Sequence, residues 1–273
     1  MDFGVPLSDL AWPVAMLAGA GFVLGIVAGL LGIGGGGILV PVFYEVFGIL
    51  GADEAVRMHL SVGTSLAVIV PTSLRSFQAH RSRGAVDMAL MRSFALPVVL
   101  GVGLGILVAR ISPGDVLKGV WVGAATIISL RLYLKREDWR LGDVIPGQPF
   151  RAVYGLFIGT ISTLMSIGGG VFIMALMTLY GRPMHQAVGT SSGFGPLISI
   201  PGALGFAWAG WGAAGLPPGS FGYVSAVALV VFPISVLAAP LGVRLAHGIS
   251  KRKLELAYAT FLAFVGVRFL MTL

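Results

Sequence analysis

Two runs of glycine interrupt long apolar stretches in corresponding parts of the chain, at residues 34–37 and 168–170. Glycine is a poor residue for a continuous helix. Because lipid cannot hydrogen-bond the backbone, a broken membrane helix is tolerated only where protein or a water-filled cavity satisfies the freed groups. A paired interruption of two hydrophobic segments is typical of the binding sites of membrane transporters.

The composition excludes an ordinary soluble domain. Hydrophobic residues make up 56% of the 273 positions and charged residues only 11%, against about 25% charged in soluble domains. The sequence therefore predicts an all-α polytopic protein whose main partner is the lipid bilayer. The net charge of +7 does not indicate nucleic acid, because the basic residues lie in short loops between apolar spans. The absence of cysteine excludes thiol catalysis and cysteine-ligated metals, and we expect neither metal nor cofactor.

Six stretches are long enough to cross a membrane, which takes about 20 residues. They are residues 59–79, 88–110, 114–134, 185–208, 222–244 and 253–273. The two regions that carry the glycine runs, 12–50 and 151–181, are each too long for one straight span and break near the middle. Each is predicted to form a helical hairpin or a re-entrant pair, with the glycine run at the turn.

Two segments of the chain repeat. Residues 59–65 (His-Leu-Ser-Val-Gly-Thr-Ser) align with residues 185–191 (His-Gln-Ala-Val-Gly-Thr-Ser) at an offset of 126 positions. Residues 105–109 are likewise similar in sequence to residues 242–246. The predicted units are a first transmembrane repeat at 1–134, a polar cytoplasmic linker at 135–150 and a second transmembrane repeat at 151–273.

The distribution of lysine and arginine predicts how the repeats are oriented. If the second glycine region crosses once, these residues divide 10 to 8 between the two sides of the membrane. If it returns to its own side, they divide 14 to 4, which satisfies the positive-inside rule. A hairpin plus three spans gives each half an odd net number of crossings, so successive halves have opposite orientations in the membrane. The sequence thus predicts an inverted repeat of the kind that many secondary transporters use.

The glycine runs admit more than one chemical interpretation. Residues 32–37 match a nucleotide-binding G-x-G-x-x-G pattern, but no strand–helix alternation surrounds them and no lysine–serine pair follows. Consecutive glycines do leave backbone N–H groups accessible, and the helix that follows each run begins with unpaired donors and a partial positive charge. Two such helix ends meeting in the membrane would bind an anion without a charged side chain. The alternative is close packing of helices through small residues.

The predicted substrate ligands combine these glycines with nearby hydroxyls. They are Gly34, Gly35, Gly36, Gly37, Thr64, Ser65, Gly168, Gly169, Gly170, Thr190 and Ser191. Ser61 and Ser166 could assist. The alternative for each serine and threonine is a hydrogen bond to the backbone one turn earlier, which is common in membrane helices.

Several ionisable residues are candidates for gating or coupling. His59 and His185 occupy the same position in the repeat, where they would serve as interfacial residues or caps, or as a gate that responds to pH. Arg75 would either extend to the interface or supply a cation on the substrate's route. Glu45 is the carboxylate inside a hairpin arm, and it is assigned either to the interface or to proton coupling.

The repeated motifs resemble a known family. Residues 29–36 (Gly-Leu-Leu-Gly-Ile-Gly-Gly-Gly), followed by 62–65 (Val-Gly-Thr-Ser), resemble the first half of the TauE/SafE sulfite exporters, also called the toluene-sulfonate uptake permease family. Residues 166–170, followed by 187–191, resemble the second half, and 239–246 resemble its late signature. In this chain the second glycine run is the shorter one, so the two half-sites are unequal.

The resemblance covers essentially the whole chain and implies an integral membrane carrier. Its substrates would be small sulfur-containing anions such as sulfite, sulfoacetate or other organosulfonates, exported by some members of the family and taken up by others. We therefore expect a multi-pass protein of the cell inner membrane. Self-association into a homo-oligomer stays open.

The predicted mechanism is a secondary carrier in which the two repeats rock to alternate access to the site. A passive anion channel with the same glycine lining is the alternative. An intramembrane enzyme is poorly supported, because the chain has no H-E-x-x-H motif and no closely spaced pair of intramembrane carboxylates.

Overall fold

The computed structural model describes residues 7–31, 36–134, 140–245 and 251–272. In the first half of the chain the helices are α1 (Leu7–Leu31), α2 (Gly36–Ile49), α3 (Glu54–Ser82), α4 (Met88–Ile111) and α5 (Gly114–Leu134). In the second half they are α6 (Phe150–Met165), α7 (Gly170–Leu179), α8 (Met184–Ser192), α9 (Phe194–Ala209), α10 (Ala228–Leu245) and α11 (Lys251–Leu270). A short antiparallel ribbon, β1 (Ser220–Phe221) and β2 (Val224–Ser225), precedes α10.

The helices confirm the predicted class of protein. By length and composition, α3, α4 and α5 can each cross a membrane, and several shorter helices, α6 and α7 among them, are also apolar. The fold is that of an all-α polytopic membrane protein. Aspartates cap the N-termini of α3 and α4. The carboxylate of Asp53 accepts a hydrogen bond from the Ala55 N–H, and that of Asp87 accepts one from the Leu90 N–H, each at 2.9 Å.

The second glycine run coincides with a break between two helices, as predicted. α1 ends at Leu31 and α2 begins at Gly36, while α6 ends at Met165 and α7 begins at Gly170. Gly34 and Gly35 lie outside the described residues. With ten residues, α7 is about 15 Å long, roughly half the thickness of the hydrocarbon core.

The two ends of the second glycine region contact the same segment of the chain. At the end of α7, the Leu179 carbonyl accepts a hydrogen bond from the Leu141 N–H at 2.8 Å. At the start of α6, the Arg151 side chain donates to the Pro146 carbonyl at 2.9 Å. Both ends of the pair therefore flank the same polar segment, residues 140–148.

Two of the predicted spans differ in the structure. Residues 185–208 form two helices, α8 and α9, with Gly193 between them. Pro196, in the first turn of α9, has no N–H to bond the carbonyl of Ser192, so one helical hydrogen bond across Gly193 is missing. Residues 220–225 form the ribbon rather than a helix, because Gly219 and Gly222 adopt positive φ angles of 80° and 58°.

The two halves pack on each other in matching pairs. α1 lies mainly on α10 and α6 mainly on α4, while α3 packs on α9 and α5 on α11. Spaced glycines allow the close approaches. A Cβ atom at Gly101 would overlap the Leu156 carbonyl on α6, and one at Gly159 would overlap the Val98 carbonyl on α4. These glycines have the packing role that small residues commonly play between membrane helices.

Candidate functional site

The break between α6 and α7 contains a serine in a strained backbone conformation. The Ser166 N–H donates to the Thr163 carbonyl at 3.2 Å, and the Ile167 N–H to the Ser162 carbonyl at 2.9 Å. This bonding places Ser166 where helices usually end in glycine. Its φ of 54° and ψ of 34° cost a residue with a side chain about 1–2 kcal/mol. Because strained residues cluster at functional sites, the serine here indicates a role for its hydroxyl.

The same break leaves backbone donors unused. Gly169, at a φ of 68°, begins α7, and no described residue accepts from the N–H groups of Gly168, Gly170 or Val171. Every residue from 162 to 171 is buried; we call this segment the tip. Unpaired buried N–H groups are rare in proteins, and the start of a helix carries a partial positive charge. The tip is therefore suited to receiving an anion.

Three of the buried hydroxyls that have no described hydrogen-bond partner belong to α3 or to the tip. They are those of Ser65, Ser162 and Ser166. Ser162 lies in the last turn of α6, and Ser166 directly follows that helix, while Ser65 lies on α3, which contacts α6. Sequence reasoning missed Ser162. The signal that could have found it is its spacing of four residues from Ser166.

Thr64 and Thr190 bind backbone from the opposite half of the chain. The hydroxyl oxygen of Thr64 accepts from the Ser225 N–H at 3.0 Å. That of Thr190 accepts from the Asp87 N–H at 2.9 Å. Each threonine still has its own O–H proton to donate. These bonds orient both predicted ligands and leave each able to donate to a substrate.

The glycine before each threonine packs against the same segment of the other half that its threonine binds. A Cβ atom at Gly63 would overlap the Tyr223 carbonyl, and one at Gly189 would overlap the Ala85 carbonyl. Each Gly-Thr pair thus holds the chain just before a helix of the other half, α10 or α4. We call these two contacts the clamps: Gly63–Thr64 with residues 223–225, and Gly189–Thr190 with residues 85–87.

Among the other predicted ligands, Ser191 follows the backbone-bonding alternative. Its hydroxyl donates to the Val188 carbonyl at 2.9 Å, so in this structure its single proton is already used. Gly36 begins α2, and Gly37 is buried in the first turn of that helix.

The candidate gating residues are not brought together. His59 is buried, and its Nε2–H donates to the carbonyls of Ala109 at 2.9 Å and Ser112 at 3.1 Å, which caps the end of α4. His185 is exposed at the start of α8, and Arg75 is exposed on α3. Glu45 pairs with Arg268 at 2.8 Å, and both side chains are partly exposed, which favours its interfacial interpretation.

A buried basic cluster near the start of α3 was not predicted. The side chain of Lys118 is 1% exposed and lies 3.4 Å from both Glu54 and Asp115. The Tyr44 ring lies 5.1 Å from the Lys118 ammonium and 5.3 Å from the Arg57 guanidinium. These residues come from α2, α3 and α5, so no local sequence pattern connects them.

An open groove of about 500 Å³ lies between α4 and α9. It is lined by Gly103, Ile106, Leu107, Leu204, Gly205 and Trp208. None of the predicted ligands lines it, and its apolar surface suits a lipid chain rather than an anion.

Comparison with known proteins agrees with the membrane character of the fold. A probable membrane transporter protein of Haemophilus influenzae is 29% identical over 258 residues, which cover 93% of this chain and 96% of the relative. A second probable membrane transporter, from Methanocaldococcus jannaschii, is 27% identical over 262 residues, 92% of this chain and 93% of the relative. No solved structure gives a significant match. The model of the sulfite exporter TauE/SafE family matches residues 17–269. The chain therefore belongs to the TauE/SafE family of membrane transporters.

Proposed function

We propose that the protein is a secondary carrier of small sulfur-containing oxyanions such as sulfite or an organosulfonate, bound at the tip. The observation that carries this proposal is the strained Ser166, whose buried hydroxyl has no described partner and which lies beside three backbone N–H groups that no described residue accepts from. Strain and unsatisfied donors both cost stability. A ligand that accepts hydrogen bonds would offset the cost of the unsatisfied donors.

The chemistry of the tip suits an anion that must also be released. Residues 162–171 include no charged side chain, so binding would rest on neutral N–H and O–H donors and on the partial charge at the start of α7. Transport requires binding strong enough for entry and weak enough for exit. The several oxygens of a sulfite or sulfonate group could accept from Ser166, from the unpaired N–H groups and from Ser162.

We further propose that the two halves are inverted repeats that alternate access to the site. The two clamps support this, since each half holds the chain before a helix of the other in the same way. The matched packing of α1 on α10 and of α6 on α4 supports it as well. In the cell inner membrane, an inside-negative potential would favour export of an anion by about 2.3 kcal/mol per charge per 100 mV.

Counterflow in liposomes tests the proposal. The purified full-length protein is reconstituted with unlabelled sulfite inside, and labelled sulfite is supplied outside. We expect saturable uptake that rises with internal sulfite, and loss of that uptake in Ser166→Gly. Ser82→Ala, which removes an exposed hydroxyl at the end of α3, is the matched control. Flux that does not saturate, accompanied by single-channel steps, would instead support the passive channel.

A further inference from the structure

Outside the tip, another buried donor without a described partner lies against the start of α2. Tyr258, on α11, is 5% exposed, and its hydroxyl has no described hydrogen-bond partner. It is surrounded by an apolar cluster that includes Ile38 of α2 and Leu262 of its own helix. A phenylalanine would fill the same space without burying an unpaired hydroxyl, so packing alone does not explain the tyrosine.

The Tyr258 hydroxyl lies against the first turn of α2. A Cβ atom built on Gly37 would overlap that hydroxyl, and the next nearest atoms belong to Leu262 and to the Tyr258 ring. Glycine at position 37 thus makes room for the phenol. The first N–H groups of any helix have no acceptor within the helix, and α2, with 14 residues, carries the partial positive charge of a helix start.

The start of α2 and the tip both contribute to one large buried cluster. α2 contacts α6, and the buried cluster that contains Tyr258 and Ile38 also contains Leu164 and Ile167 of the tip. A substrate bound in this region would meet donors from both halves of the chain.

We propose that the Tyr258 hydroxyl is a substrate ligand that donates to the bound oxyanion at the start of α2. This inference rests on the proposed function, and it adds a residue outside the glycine and Gly-Thr-Ser motifs. A phenol supplies a strong donor without a positive charge. It would therefore complement the tip, which also binds through neutral groups.

Transport by liposomes that contain Tyr258→Phe tests the inference. The KM for sulfite and for methanesulfonate is expected to rise about tenfold or more, which is the effect of losing one hydrogen bond to a charged group. Because the hydroxyl has no described partner, the variant should melt at the wild-type temperature or above it. Tyr133→Phe is the matched control; its exposed hydroxyl bonds Thr260 at 2.6 Å, and its KM should not change.

Gly37→Ala provides a second variant. Alone, it should lower the melting temperature by crowding the phenol. Combined with Tyr258→Phe, it should recover stability but keep the raised KM.

The outcomes separate this inference from the proposed function. A wild-type KM in Tyr258→Phe, together with lost transport in Ser166→Gly, would overturn the role of Tyr258 alone. Absence of saturable sulfite and methanesulfonate transport by the wild-type protein would overturn both.

Discussion

The hydroxyl oxygens of Ser73 on α3 and Ser199 on α9 lie 3.4 Å apart, within hydrogen-bond distance. The two residues are separated by 126 positions, the same offset that aligns the two Gly-Thr-Ser segments. Equivalent residues of two repeats meet each other only near an axis that relates the repeats. The crossing of α3 and α9 at these serines therefore supports a two-fold relation between the halves.

Cysteine cross-linking can check this crossing, since the chain has no cysteine of its own. We expect Ser73→Cys with Ser199→Cys to form a disulfide under mild oxidation. After proteolytic cleavage within the linker, the two halves should stay joined until reductant is added. Ser82→Cys with Ser199→Cys is the control, because Ser82 is nine residues and about 13 Å further along α3. Efficient cross-linking of the control pair alone would contradict the crossing.

The clamps predict matched losses of stability. Thr64→Val leaves the buried Ser225 N–H unpaired, and Thr190→Val leaves the partly buried Asp87 N–H unpaired. Each should lower the free energy of unfolding by about 1–3 kcal/mol, which thermal unfolding in detergent would detect as a lower melting temperature. Thr64→Ser and Thr190→Ser keep the oxygen and should recover most of the loss. A valine variant as stable as the wild type would argue against the clamp at that position.

The glycines of the clamps should tolerate no side chain. In Gly63→Ala and Gly189→Ala the new methyl group would overlap a backbone carbonyl, which cannot move aside as a flexible side chain can. We expect poor yields of folded protein for both, measured by size-exclusion chromatography. Gly119→Ala and Gly123→Ala on α5 are the controls, because nothing lies within 4 Å of the added carbon. They should be neutral or slightly stabilising, and equal yields for all four variants would refute the clamps.

Ser166 predicts a conflict between stability and transport. Ser166→Gly relieves the left-handed strain, so the protein should gain about 1 kcal/mol of stability. Transport should fall in the same variant, because the hydroxyl is lost. Ser166→Ala keeps the strain without the hydroxyl and should lose transport with no gain in melting temperature. A stabilised Ser166→Gly that transports at the wild-type rate would remove Ser166 from the site.

The sequence predicted the break between α6 and α7 for physical reasons that act locally. A membrane span needs about 20 apolar residues, and glycine runs and basic loops can be counted without knowledge of packing. It did not reveal the partners of Thr64 and Thr190. Those partners are backbone N–H groups more than 100 positions away, and no side-chain type identifies such a donor.

Tyr258 and Lys118 are two further residues whose contacts the sequence does not reveal. Both belong to helices that carry no glycine run and no repeated Gly-Thr-Ser segment, so neither stood out in the sequence. Their importance depends on burial next to α2, which only the packing of α11 and α5 establishes. Similarly, Pro196 can be read from the sequence, but the sequence does not show that α9 begins just before this proline.

The uncharged tip has an electrical consequence for the transport cycle. If the moving site carries no fixed charge, the empty carrier crosses between its two states without displacing charge, and the membrane voltage acts only on the loaded form. Voltage would then change the rate of the substrate-carrying half-cycle and leave the return half-cycle unaffected. Exchange of one anion for another of equal charge would be electrically silent, whereas net export would generate a current.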